Sequence, residues 1–158
     1  TRAISGSDDT LKVWNLTNGT LLHTLEGHTA WVSCCAVFAD GTRAISGSWD
    51  YTLKVWNLTN GTLLRTLQLQ GHVAFVLCCA VFADGTRAIS VSTDRTLKVW
   101  NLTNGTLLHT LEGHMNWVNC CAVFADVMME CFGFQRVDPT TESDSVVRLV
   151  ESIFWRIL

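Results

Sequence analysis

The sequence predicts an all-β chain assembled from one small unit used three times. Three observations carry this. The text that begins at Thr1 recurs at Thr42 and again at Thr86, at offsets of 41 and 44 residues; a period in that range marks one supersecondary unit per repeat. Each full period holds four short strand-like runs. The dipeptides Asp-Gly and Asn-Gly, strong hairpin signals, punctuate those runs.

The stretch from Val76 to Leu111 shows the runs in order. Val76 to Ala83 (VLCCAVFA) is nearly continuous apolar text, as expected of a strand buried on both faces. Asp84-Gly85 turns the chain. Arg87 to Ser92 (RAISVS) follows, closed by a polar turn containing Asp94. Leu97 to Leu102 (LKVWNL) alternates, with Leu97, Val99 and Asn101 on one face and Lys98, Trp100 and Leu102 on the other. Asn104-Gly105 makes the next turn, and Thr106 to Leu111 (TLLHTL) is the fourth run. Four short antiparallel strands with tight turns, repeated radially, form a blade of a β-propeller.

Taken along the chain, Thr1 to Leu25 supplies second, third and fourth strands without a first. Thr29 to Leu67 and Val73 to Leu111 are complete blades, and Met115 to Ala125 reads as one more first strand. The end pieces add up to one split blade, for three blades in all, whereas a closed ring takes roughly four to eight. An open arc with exposed edges, two chains completing a six-bladed ring, or part of a longer array each satisfy this count. The chain opens in mid-repeat on Thr rather than Met, which favours a fragment. From Val127 the repeat text stops. Pro139 ends the stretch VMMECFGFQRVD, and Thr140 to Asp144 is rich in helix-capping residues. Val146, Val147, Val150, Ile153, Phe154 and Ile157 then fall at helical spacing. The expected division is a repeat domain, 1–126, and a non-repeat tail, 127–158, with an amphipathic helix over 141–157 that covers a blade edge or packs on the blades.

Composition narrows the class. The chain has 158 residues, 48% of them apolar, and a net charge of −3. That is a chain able to bury a core, with no basic footprint for nucleic acid. No apolar run reaches the ~18 residues of a membrane span, and no signal peptide is visible. Six of the seven cysteines form adjacent pairs, Cys34-Cys35, Cys78-Cys79 and Cys120-Cys121. Neighbours on a strand point to opposite faces, and Cys-x-x-Cys metal spacing is absent. They read as reduced, buried small hydrophobes, which places the chain in the cytoplasm. Six Asn-x-Thr sequons, among them Asn57-Leu-Thr59 and Asn60-Gly-Thr62, fall in the turn between third and fourth strands and read as turn residues. No phosphate-binding glycine loop, His-x-x-x-His or acidic metal cluster occurs, so no cofactor and no metal are expected.

The period also carries Gly-His (Gly27-His28, Gly71-His72, Gly113-His114). It carries Ser-x-Ser-x-Asp (Ser46 to Asp50, Ser90 to Asp94) and Leu-Lys-Val-Trp-Asn ending at Asn15, Asn57 and Asn101. This resembles the WD-repeat β-propeller family over Thr1 to about Ala125. The family's Trp-Asp is Trp-Asn at all three places; Asn caps a turn but carries no charge. The resemblance implies a non-enzymatic scaffold that binds a protein or peptide. It also implies roles for His28, Ser46, Asp50 and Trp56, and for His72, Ser90, Asp94 and Trp100. They form a structural network within each blade, His donating to the turn Asp and a Ser of each Ser-x-Ser bridging to Trp. A catalytic Ser-His-Asp set is built once in an enzyme, not once per repeat, so no catalytic residue is assigned. In the first repeat, Asp9 and Trp14 would draw their His from His114 through the split blade.

Comparison of the copies locates the binding face. The framework barely changes, while two loops differ. One holds Asp8 in the first copy, Trp49 and Tyr51 in the second, Thr93 and Arg95 in the third. The other, around and after Gly-His, holds Trp31, then Phe75, then Met115 and Trp117. Both loops lie at the end of the blade where first and third strands start. The expected protein-binding residues are Trp31, Trp49, Tyr51, Phe75, Arg95, Met115 and Trp117. The alternative reading is a truncated repeat fragment with no independent function.

Overall fold

The computed structural model describes residues 1–68 and 71–124. The expected tail helix over 141–157 lies outside the described residues, as do Leu69 and Gln70 of the lengthened connection before Gly71. Eleven strands form three antiparallel sheets, and no helix occurs among the described residues. The first sheet holds β1 (Arg2–Ser7), β2 (Thr10–Asn15) and β3 (Thr20–Glu26). The second holds β4 (Val32–Val37), β5 (Arg43–Ser48), β6 (Leu53–Asn57) and β7 (Thr62–Leu67). The third holds β8 (Val76–Val81), β9 (Arg87–Ser92), β10 (Leu97–Asn101) and β11 (Leu107–Leu111). Every sheet is a meander, each strand pairing with its neighbours in sequence.

Local chemistry explains the turns. Gly61 and Gly105 adopt φ of 73° and 79° between third and fourth strands, where L side chains are strained. The preceding Asn accepts a backbone N–H within the same turn, Thr59 N–H on Asn57 Oδ1 at 2.8 Å and Thr103 N–H on Asn101 Oδ1 at 2.8 Å. The Asn of Trp-Asn therefore fills a local acceptor role that needs no charge. At the other hairpin, Thr42 N–H donates to Asp40 Oδ1 at 2.8 Å, and Arg43 pairs with the same carboxylate while its guanidinium lies over the Phe38 ring.

The sheets stack face against face, and the core lies between them. Leu53, Val55, Leu67, Val76, Ala88 and Trp100 form one buried cluster spanning the second and third sheets. Leu11, Val13, Leu25, Ala44 and Trp56 form another spanning the first and second. Middle strand β6 is therefore buried on both faces. The contact is close because the facing residue is glycine: a Cβ on Gly47 would stand 2.6 Å from Val76 Cγ1.

Two expectations are corrected. The first strands β4 and β8 are only half-buried along most of their length, not buried on both faces. Each is an edge strand of its sheet, so one long edge carries no paired strand. Residues 115–124 carry first-strand text but form no strand. A strand needs a neighbour to satisfy its backbone, and no second strand of the same repeat follows in the described chain.

Candidate functional site

The two complete sheets contain the same chain of buried polar groups. Trp can only donate, so Trp56 Nε1–H donates to Ser46 Oγ at 2.8 Å. A carboxylate can only accept, so His28 donates from Nδ1 to Asp50 Oδ2 at 2.7 Å. In the tautomer with its proton on Nδ1, Nε2 accepts from the Ser46 hydroxyl at 2.8 Å. The direction is thus fixed from Trp56 through Ser46 and His28 to Asp50. Trp100, Ser90, His72 and Asp94 repeat it at 2.8, 2.8 and 2.7 Å. Among the described residues no buried side-chain polar atom lacks a partner, as a low-dielectric interior demands.

The carboxylates are held ionised. Burial would raise the Asp50 carboxyl, but hydrogen bonds from His28 and from Thr52 outweigh it and hold it well below the usual range. Asp94 is lowered in the same way, against burial, by Thr96 and His72. Burial pushes the His72 imidazole down, only partly offset by Asp94.

Ser48 and Ser92 have a separate task. Ser48 Oγ donates to Ala30 O at 2.9 Å and accepts Asp50 N–H at 3.0 Å, tying the Gly-His loop to the β5–β6 turn. The Ser-x-Ser-x-Asp pattern carries the signal for this, since Ser two residues before a turn amide is a local cap.

This network lies directly under the varied loops. Asp50 sits between Trp49 and Tyr51, and Trp49 N–H bonds to Trp31 O at 2.9 Å. Trp31 and Trp49 have ring centroids 5.0 Å apart, Trp49 stacks on Phe75 at 4.6 Å, and Tyr51 lies 5.7 Å from Phe75. The structure therefore brings together four of the seven expected face residues, from two blades, and all four are exposed. Thr93 N–H bonds to Phe75 O at 3.1 Å, which sets the Arg95 turn beside them. Met115 and Trp117, 90% and 64% exposed, follow on the loop tied to the third sheet by Val118 N–H on Ser92 O at 3.2 Å; neither joins the stack. Tyr51 and Arg95 hold φ of 68° and 71°, unusual for side-chain-bearing residues. Such backbone persists where the surroundings over-determine it, here through the Asp side chain, which accepts from the Thr two residues on and from the Gly-His loop.

The first sheet lacks this arrangement. Trp14 Nε1–H still donates to Ser5 Oγ at 2.9 Å. Its turn is two residues, Asp8-Asp9, and His114 is exposed on a loop elsewhere.

A family model, "WD domain, G-beta repeat", matches residues 19–57, 61–101 and 105–127. The chain belongs to the WD-repeat family. Individual relatives are similar over about one repeat. NACHT domain- and WD repeat-containing protein 1 of Mus musculus is 44% identical over 48 residues, 30% of this chain and 3% of that protein. Small ribosomal subunit protein RACK1y of Oryza sativa subsp. japonica is 50% identical over 48 residues, 30% of this chain and 14% of that protein. The matched part of this WD-repeat chain spans a small fraction of either relative's length. Among the described residues no group of three or more His, Cys, Asp or Glu is placed to hold a metal ion, and no helix is long and apolar enough to cross a membrane.

Proposed function

We propose that this WD-repeat chain is a non-enzymatic scaffold whose loop face binds a protein or peptide. The observation that carries the reading is the exposed stack of Trp31, Trp49, Phe75 and Tyr51 above two copies of one buried network. Contiguous exposed aromatic surface marks an interaction site, and rigid aromatics are the commonest interface anchors. Arg95, Met115 and Trp117 extend the face. The charges at its two ends differ, Asp8 and Asp9 on the first sheet and Arg95 on the third. An extended peptide therefore fits best with an apolar centre, a basic residue toward the first sheet and an acidic one toward the third. Against an enzyme stands the fate of the serine: Ser46 and Ser90 have the bonding order of a hydrolytic triad, but both are fully buried and their oxygens already accept a Trp N–H. The proposal includes a cytoplasmic location, the division into a repeat domain over 1–126 and a separate tail over 127–158, and no nucleic-acid or membrane partner.

The test is a peptide-display library panned on the full chain, with recovered peptides titrated by fluorescence polarisation. Substituting Trp49 and Tyr51 together with Ala should weaken binding at least tenfold and leave the unfolding midpoint in place. Undiminished binding would remove this face from consideration, and unfolding would assign the two rings to the core.

A second reading has its own observation. Among the described residues no strand pairs with the outer edge of β1, and residues 113–124 repeat the text that pairs with β5 in the second sheet. We propose that two chains complete a six-bladed ring, residues 118–123 of each lying on β1 of the other and His114 reaching Ser5. A light-scattering mass of twice the chain mass would support the ring. A single-chain mass would favour a fragment of a longer array with no independent function.

A further inference from the structure

The repeated cysteine pairs do something across blades that they cannot do within one. Cys34 of β4 and Cys79 of β8 are 45 positions apart, yet their Sγ atoms are 3.4 Å apart. The first cysteine of one pair thus faces the second cysteine of the next. Bonded sulfurs sit about 2.05 Å apart, so closing this gap takes a movement of about 1.4 Å. The approach is set by the backbone. Ser33 Oγ, next to Cys34, donates across the sheets to Val76 O, and to Gly47 O at 3.1 Å. A Cβ on Gly47 would stand 2.8 Å from Cys34 Sγ. Only glycine there lets the thiol settle against the neighbouring sheet.

We propose that Cys34 and Cys79 form a peroxide-reactive dithiol that closes to an inter-blade disulfide. The inference is independent of the binding reading. The two thiols are unequal in the way such chemistry needs. Cys34 is half-buried and within reach of a small oxidant, whereas Cys79 is buried. Once Cys34 ionises, its thiolate accepts the Cys79 S–H, and this lowers the Cys34 pKa against the burial that raises it. The same contact and burial raise Cys79. Cys34 is the nucleophile and Cys79 the resolving thiol. The Cys34 thiolate attacks one oxygen of a hydroperoxide. The O–O bond breaks, Cys34 becomes a sulfenic acid, and the alkoxide leaves and takes a proton from solvent. The Cys79 sulfur then attacks the Cys34 sulfur. The S–S bond forms, and hydroxide leaves with the Cys79 proton as water. Two thiols lose two electrons, and the hydroperoxide is reduced to an alcohol and water.

Closure would fasten the second sheet to the third, beneath the contact between Trp49 and Phe75. Cys78 and Cys121 are the corresponding first and second cysteines one repeat on, 43 positions apart. Burial pushes the Cys121 thiol up to about 12, so that pair lacks a ready nucleophile on that side.

The experiment treats the reduced, folded full chain with stoichiometric hydrogen peroxide, quenches free thiols by alkylation, and maps unreduced peptides by tandem mass spectrometry. The expected first product is 2 Da lighter than the reduced chain and carries one cross-linked peptide pair containing Cys34 and Cys79. It should form at least tenfold faster than any other thiol is lost. The link should persist in Cys35→Ser and Cys78→Ser, vanish in Cys34→Ser and Cys34→Ala, and reverse with dithiothreitol. Thermal melts confirm that each variant is folded. A first product linking Cys78 to Cys121, oxidation confined to Cys120 or Cys131, or no disulfide while Cys34 stays alkylatable would each overturn the proposal.

Discussion

The hexapeptide RAISGS occurs twice, as β1 and as β5, and the two copies live in different surroundings. In β5 five of the six residues are buried; in β1 none is, and four are exposed. The residues that face them diverge in step. Trp56 is 1% exposed and its serine is shared with His28, while Trp14 is half-buried and donates to Ser5, which no histidine among the described residues shares. At the far end Phe38 is buried in the core and its counterpart Phe124 is 85% exposed. The local text is the same, so the difference comes from what the neighbours supply: a first strand on the open edge and a histidine from the preceding linker. A WD blade is thus completed by its first strand and by a histidine from the linker before it.

The largest expected break in the comparison is at the tryptophans. Trp56→Ala should cost about 3–5 kcal/mol, the usual range for a fully buried large aromatic, and Trp14→Ala less than half as much. Urea unfolding of both variants reads the difference. Equal costs would mean that the β1 edge is covered in solution, which is the outcome a two-chain ring requires.

Next come the histidines. His28→Ala leaves the Ser46 hydroxyl and the Asp50 carboxylate short of a partner in the interior, and about 2–3 kcal/mol should be lost. His114→Ala, at an exposed loop, should stay within about 0.5 kcal/mol. A larger effect at His114 would place that ring against Ser5 of another chain.

The pH dependence follows from the same network. The folded-state pKa of His72 lies below its unfolded value of 6.5. Its contribution is therefore fully present above that pH and is lost as the pH falls toward the folded pKa, because only the unfolded chain takes up the proton. The slope should reach at most about 1.4 kcal/mol per pH unit as the pH falls below 6.5. Asp50 and Asp94 are lowered too, so a second loss sets in below about pH 4, when the unfolded carboxyls protonate first. Stability measured from pH 8 to 3 should step down twice. His72→Gln should flatten the upper step, and an unchanged profile would deny His72 its part in it.

The sequence was informative where structure is local, and less so where it depends on distant neighbours. Arg87–Ser92 is bounded as expected because turn chemistry on both sides fixes its length. The all-β class and the meander order followed from the same signals. The strand expected at 115–125 did not form, since pairing text cannot create a second strand to pair with. The choice between Ser46 and Ser48 was also closed to sequence. Both lie on the same face of β5, and only the cross-strand register, with Ala44 opposite Trp56, decides which oxygen the indole reaches. The approach of Cys34 to Cys79 is farther still from legibility, since 45 residues and a sheet-to-sheet contact separate them. By contrast, Trp31, Trp49, Tyr51 and Phe75, which differ between copies of an otherwise constant text, do lie together at one end of the blades.

The smallest contrast is one that should vanish. Asn15 and Asn57 follow Trp14 and Trp56, and each accepts a backbone N–H from two residues on, Thr17 at 2.9 Å and Thr59 at 2.8 Å. These bonds close within a single turn and owe nothing to the open edge of β1. Asn15→Ala and Asn57→Ala should therefore cost the same, about 1 kcal/mol each, although their neighbouring tryptophans differ severalfold. The Asp variants keep the acceptor and should cost a few tenths at most, because the bond needs an oxygen rather than a charge. If Asn57→Ala costs well over twice as much as Asn15→Ala, the turn is coupled to the buried network. The Trp-Asn pair would then belong to the blade interior rather than to its rim.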